Sequence, residues 1–351
     1  MAVETREFGK SKDGRDLFLY TISNSKGMKA TVTNLGAILT QLMVPDQAGK
    51  AEDITLGYET VEDYYDNESF FGAVIGPCAN RTAGAMLTID GVSYQIDVND
   101  GENNLHSHFQ LGYHKRVWEA DVREDGVTFR LEDPGTLGFP GTKEISIAYT
   151  VTEDNDLKLH YHGTATETTV INLTNHTYFN LDGVGSGKIE DHELQLFASH
   201  YTPVVKGAIP TGEIAPVAGT PLDFTKMTRI GDRIGDDFEQ LKLVQGYDHN
   251  FCVDGWKDDG QLRPVAIAKG PKSSRVMKVY SDLPGVQFYA GNCIGATTGK
   301  NGIHYDKRDG FCLETQYYPD TIHHENFPSY LFGGEGKDAR DCDTVTVYHF
   351  E

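Results

Sequence analysis

Short runs in which apolar and polar residues alternate dominate the chain, and turn-forming dipeptides separate them. That is the pattern of half-buried β-strands. Residues 86–90 and 92–98 flank Asp90-Gly91, and residues 118–123 and 127–131 flank Asp125-Gly126. An Asp-Gly between two such runs predicts a tight hairpin. Residues 145–152 and 157–163 flank a longer polar loop at 153–156. Further strands are expected at 30–44, 169–181, 192–198, 265–269, 275–281, 285–291, 311–318 and 344–350. Helical spacing is scarce. Residues 61–66 predict a turn or two, and residues 227–236 have helix-compatible spacing broken by Gly231 and Gly235. Strands do not alternate with helices, so a parallel α/β sheet is disfavoured. No repeat, linker or block of like charge divides the chain. The expectation is an all-β protein: one large antiparallel β-sandwich with few short helices, a single domain over residues 1–351.

Composition narrows the function. The 351 residues are 38% hydrophobic and 24% charged, enough apolar material for a sizeable core. Lys and Arg number 31 against 52 Asp and Glu, a formal net charge of −21. So acidic a surface repels phosphate backbones and anionic bilayers, which disfavours nucleic acid and membrane as partners and favours a small neutral or cationic molecule. No apolar run is long enough for a transmembrane helix, and the N-terminal residues lack a secretory pattern. Cys78, Cys252, Cys293, Cys312 and Cys342 are scattered, odd in number and without CxxC spacing. They predict neither a disulfide framework nor a cysteine zinc site, and fit a reduced, cytoplasmic setting. The sequence carries no signal for an oligomeric state.

Two segments carry candidate chemistry. In INLTNHTYFNL at 171–181, strand alternation puts Ile171, Leu173, Asn175, Thr177, Phe179 and Leu181 on one face. Asn172, Thr174, His176, Tyr178 and Asn180 share the other. That second face is either solvated or built to hold hydroxyls and move a proton. In GFCLETQYYP at 310–319, Glu314 is a lone acid among apolar and aromatic neighbours, sharing its face with Cys312, Gln316 and Tyr318. It is either an ordinary edge-strand carboxylate or, if buried, a base with a raised pKa. Arg81 follows Asn80 as a possible donor fork. His106 and His108 form an i, i+2 pair with no evident third ligand, pointing to hydrogen bonding rather than metal. Asp248 lies in GYDHNF, read as a polar turn before an apolar run. No Walker loop, GxSxG elbow or GxGxxG helix entry occurs.

Together these segments resemble the aldose 1-epimerase (galactose mutarotase) family across nearly the whole chain. The matching motifs are NRTAGA at 80–85, NNLHSH at 103–108, GFPG at 138–141, NLTNHTYFNL at 172–181, GTPLDF at 219–224, YDHNF at 247–251, LPGVQFYAGN at 283–292 and GFCLETQYYPD at 310–320. The resemblance implies the galactose mutarotase-like supersandwich and interconversion of the α and β anomers of free hexoses such as glucose and galactose, without cofactor or metal. It implies His176 as general acid and Glu314 as general base. Asn80, Arg81, His106, Tyr178, Asp248 and Gln287 would contact the monosaccharide. Ser107-His108 stands where the family usually has two glycines, and Pro77-Cys78 interrupts its usual approach to the Ala-Asn-Arg triplet. Both departures bear on sugar preference. On this reading activity should rise with pH as Glu314 ionises and fall where His176 loses its proton.

Three alternatives remain open. A non-catalytic sugar-binding module would need neither His176 nor Glu314. A hexose-phosphate epimerase would need several basic residues for the phosphate. A glycoside hydrolase would need a second carboxylate flanking the bond.

Overall fold

The structure, a computed structural model, describes residues 2–335 and 339–351. Nine strands form the largest sheet. Their order is Glu119–Val122, Gly126–Asp133, Lys143–Val151, Asp156–Ala165, Cys342–Phe350, Val276–Ser281, Arg263–Lys269, Glu193–Leu196 and Thr228–Arg229. A five-stranded sheet is built from consecutive N-terminal strands between Ala2–Lys10 and Ala51–Asp53. A second five-stranded sheet contains Asp248–Cys252, Gly285–Tyr289 and Cys312–Gln316 as neighbours. Every named strand pairing of more than two residues is antiparallel, as expected for an all-β sandwich.

Burial along the large sheet follows strand alternation. In Lys143–Val151, Ile145, Ile147, Tyr149 and Val151 are buried while the residues between them are more open. They join Leu157, Leu159, Tyr161, Val279 and Tyr348 from neighbouring strands in one hydrophobic cluster. Non-directional burial of this kind supplies most of the driving force for the sheet to pack. By contrast, Gly285–Tyr289 and Cys312–Gln316 are buried at every position. Polar residues on those two strands therefore sit inside the protein.

Several expectations need correction. The run 30–44 is two strands, Lys29–Thr33 and Leu39–Pro45, turning through Gly36 and Ala37 at positive φ. The run 169–181 is broken into Thr169–Val170 and Thr174–His176, with isolated bridges at Asn172 and Phe179. Every residue from 169 to 181 is buried, so its polar face is not a solvated one. Residues 227–236 hold a two-residue strand and a 3₁₀ turn, whereas the second α-helix is Glu239–Val244. Strands Ala2–Lys10 and Asp16–Ser23 went unanticipated. Asp90 and Gly91 have φ of 51° and 79°, the left-handed pair that a tight hairpin requires. Gly126 instead opens a strand, and a Cβ there would lie 2.2 Å from the Tyr149 carbonyl oxygen. The GFPG loop is structural. The buried Lys143 ammonium donates to the carbonyls of Phe139, Pro140 and Gly141 and faces Asp133 at 3.6 Å.

Candidate functional site

The second five-stranded sheet meets the broken polar segment at a cavity of about 170 Å³. His176 ends Thr174–His176, which pairs with Ala73–Ile75. Three residues on, Phe179 and Phe311 exchange backbone hydrogen bonds of 2.7 and 3.0 Å, tying that segment to the entry of Cys312–Gln316. Glu314 is in register with Gln287, which is in register with Asn250, and Asp248 stands opposite Tyr289. Asp248 thus opens a strand rather than a turn. Leu105 pairs with Arg81, which brings the NNLHSH loop against the Asn80-Arg81 loop. Asn80, Arg81, His106, His176, Tyr178, Asp248, Gln287 and Glu314 all line this one cavity.

His176 Nε2 lies 3.7 Å from Glu314 Oε1, with both side chains almost fully buried. Burial depresses His176 to a pKa of about 4. Burial pushes Glu314 well above the ordinary carboxylate range. The Asp248 charge adds to that rise, and the Arg81 guanidinium opposes it. Glu314 Oε2 is buried without a hydrogen-bond partner, an unmet need beside an open cavity. Tyr178 stacks on the His176 ring at 5.1 Å, and Phe70 and His106 close its other sides at 5.8 and 5.3 Å.

The polar groups around the pair are held by specific bonds. The Asn80 backbone N–H donates to His106 Nδ1 at 3.0 Å. With Nδ1 accepting, neutral His106 carries its proton on Nε2. Burial keeps it neutral by lowering its pKa well below the usual histidine value, and the neighbouring His176, Arg81 and His114 oppose a further positive charge. Arg81 Nε donates to Asp100 Oδ2 at 2.9 Å, and its Nη1 lies 4.0 Å from Asp248. Gln287 Nε2 donates to Asp248 Oδ1 at 2.7 Å. Burial raises the pKa of Asp248, with Arg81 and the Gln287 bond opposing it.

The asparagines of the polar segment serve the fold instead. Asn172 exchanges side-chain bonds with the Tyr317 backbone, and Asn180 donates to the carbonyls of Gly187 and Asp309. Sequence reading missed Phe70, Tyr289 and Cys293 as lining residues, and Asp100 as the partner of Arg81. Tyr289 alternates with Gln287 in LPGVQFYAGN, so strand periodicity could have found it. Ser107 and Cys78, from the two departures, meet in the fold. The Ser107 hydroxyl accepts from the Cys78 N–H and donates to its carbonyl, both at 2.8 Å, clasping the two site loops together.

A metal deserves a test here. His106, His176 and Glu314 place potential ligand atoms within 4.8 Å of one another. His108 lies outside this set and accepts from the Gln110 and Leu111 amides. A histidine ligand normally donates its second ring N–H to an acceptor. His106 has the opposite polarity, because its Nδ1 accepts and its Nε2 proton occupies the lone pair that a metal would need. Two donors then remain, fewer than the three protein ligands of an ordinary catalytic zinc site.

Comparison with known proteins gives a consistent picture. The family model for aldose 1-epimerase matches residues 19–340. Human galactose mutarotase is 40% identical over 325 residues, covering 92% of this chain and 91% of the human protein. Aldose 1-epimerase of Escherichia coli K12 is 35% identical over 343 residues, 96% of each chain. The solved structure of galactose 1-epimerase from Lactobacillus acidophilus NCFM superposes with a TM-score of 0.85 at 28% identity, covering 100% of this chain and 99% of that one.

Proposed function

We propose, proceeding from the fact that this chain belongs to the aldose 1-epimerase family, that His176 and Glu314 carry its reaction. The protein is an isomerase that interconverts the α and β anomers of free hexoses on a galactose mutarotase-like sandwich. Opening the cyclic hemiacetal requires a base to take the anomeric hydroxyl proton and an acid to protonate the ring oxygen. The bond from the anomeric carbon to the ring oxygen breaks, and a free aldehyde results. Rotation about the adjacent carbon–carbon bond turns the other carbonyl face toward the returning hydroxyl. Closure reverses both proton transfers, so nothing is consumed.

The observation that carries this assignment is the buried His176–Glu314 contact on the wall of the cavity of about 170 Å³. Because His176 is depressed and Glu314 raised, the pair holds one proton between their two values. The forms with that proton on Glu314 or on His176 are tautomers of one macroscopic state, and either supplies one acid and one base. The assignment of limbs made from sequence is therefore reversed. Activity rises as His176 gives up its extra proton near the acid end and falls where Glu314 loses the shared one. Arg81, His106 Nε2–H, Asn80, Gln287, Asp248 and Tyr178 offer donors and acceptors to ring oxygen and hydroxyls.

Reversible proton transfer between oxygen atoms needs no redox cofactor, and the polarity of His106 supports a reaction without metal. Among the described residues lining the cavity, Arg81 is the only Lys or Arg, and it is already engaged by Asp100. That disfavours a phosphate-bearing substrate. Among the described residues no helix is long and apolar enough to cross a membrane. The cysteines, all unpaired, suit a cytoplasmic setting, and we read the chain as one working unit. Polarimetry on freshly dissolved α-glucose and α-galactose tests the function. The protein should speed the approach to anomeric equilibrium without moving its endpoint, and an unchanged rate with both sugars would refute it.

A further inference from the structure

Strand alternation places Cys312 on the same face as Glu314, two residues and roughly 6.7 Å along the strand. The Cys312 sulfur lies 3.5 Å from His176 Nδ1, on the opposite side of the imidazole from Glu314. It is fully buried in an apolar and aromatic cluster with Leu56, Phe71, Tyr178, Tyr289 and Tyr305. A single strand therefore delivers both the carboxylate facing one ring nitrogen and the thiol facing the other.

We propose that Cys312 is a positioning residue that holds His176 through both of its protonation states. A thiol is a weak donor and a weak acceptor. In both states Nδ1–H donates to the sulfur, which leaves Nε2 facing Glu314 and the cavity. In neutral His176 the Nε2 lone pair is free to take a proton; in the imidazolium that proton sits on Nε2, the O–H bond of Glu314 or the sugar breaking as the N–H bond forms. No bond to sulfur changes. A carboxylate in this place would stabilise the imidazolium and lift its pKa. The thiol holds the ring without adding charge, so the proton can pass between His176 and Glu314. Burial, with the Glu314 and Asp248 charges adding, pushes the Cys312 thiol well above its ordinary range, so it stays neutral. The other groups facing His176 are Glu314 from the same strand, His106 from its loop, and Tyr178 and Tyr289. Both tyrosines stay protonated because burial raises them.

The proposal rests on His176 being the acid of the reaction, and two readouts separate the claims. ¹⁵N NMR of the wild-type protein near neutral pH, with His176 assigned through His176→Asn, should show the neutral Nδ1–H tautomer. An Nε2–H tautomer would overturn the proposal whatever the kinetics. Cys312→Val fills the same space without a polar atom. It should lower kcat about ten- to a hundredfold with little change in KM, as a loosened catalytic group does. Its His176 signals should report a mixture of tautomers. Cys312→Ser keeps a donor and acceptor and should recover most of kcat. Wild-type kcat and tautomer in Cys312→Val would overturn the proposal and leave the His176–Glu314 assignment standing. Wild-type activity in His176→Asn would overturn that assignment instead. If Cys312→Val fails to fold, the wild-type tautomer and the Cys312→Ser kinetics still decide.

Discussion

At the scale of single residues, Glu314 is set between opposing influences. Burial and Asp248 keep its proton on, and Arg81 draws it off. The two charged neighbours should therefore shift the alkaline limb of the kcat–pH profile in opposite directions. Asp248→Asn removes a negative charge, lowers the Glu314 pKa and should move that limb to lower pH. Arg81→Gln removes a positive charge and should move it to higher pH. Each should also lower turnover at least tenfold at the wild-type optimum if, as proposed, both side chains position the sugar. Profiles at saturating sugar, after subtraction of spontaneous mutarotation, check this, and limbs moving in the same direction would contradict it. Metal gives a second test. Dialysis against a chelator should leave the polarimetric rate unchanged, whereas a large loss restored by a divalent ion would show that the polarity of His106 had been misread.

At the scale of elements, the strand carrying His176 depends on one close backbone approach. The Gly72 N–H donates to the His176 carbonyl at 3.0 Å, and the Gly72 carbonyl accepts from Asn175 at 2.9 Å. Gly72 has φ of 69°, and a Cβ there would fall 2.0 Å from the Leu39 carbonyl oxygen. Gly72→Ala should cost more than about 2 kcal/mol, combining left-handed strain with overpacking against rigid backbone. It should also lower turnover by displacing His176. Gly219→Ala is the control, because φ is 78° there but nothing lies within 4 Å. It should cost only about 1 kcal/mol and leave activity intact. Urea unfolding and polarimetry on both variants check the contrast, and equal losses would contradict it.

Elements were legible in the sequence where local chemistry decided them. Asp90-Gly91 could be read as a hairpin because both residues tolerate positive φ, and Lys143–Val151 because its alternation matches one-sided burial. The polar face of residues 171–181 was visible, but its division of labour was not. Asn172 and His176 look alike as hydrogen-bonding residues, and only the fold shows one bound to Tyr317 backbone and the other facing Glu314. Residues 30–44 misled because their apolar pattern runs on through the turn at Gly36 and Ala37. The convergence of Arg81, His106, His176 and Glu314 came from the family resemblance alone, since long-range strand pairing leaves no local trace.

For the whole molecule, the buried histidines predict acid sensitivity. His114 and His249 are depressed to about 3 and His176 and His192 to about 4, each chiefly by burial. One ring nitrogen in each of His114, His192 and His249 is buried without a partner. An unfolded histidine titrates near pH 6.5. Below that value the unfolded chain binds protons that the folded one refuses, so stability present above about pH 6.5 is lost as pH falls toward 4. Each such histidine adds a slope of up to about 1.4 kcal/mol per pH unit. The urea midpoint should therefore drop clearly between about pH 7 and pH 5, and a flat or rising midpoint would contradict this.

The most direct test of the central claim is a double-mutant cycle read by polarimetry. General acid–base catalysis contributes about 10²–10⁴ in rate for each positioned group. Glu314→Gln keeps the shape and loses the proposed base, and His176→Asn loses the titrating ring. Each should remove most of the turnover while sugar binding persists. If, as proposed, both groups serve one proton-transfer event, the double variant should be little worse than the poorer single one. Fully multiplying losses, or more than about a tenth of wild-type turnover surviving in Glu314→Gln, would contradict the pairing and send the search for the base to Asp248.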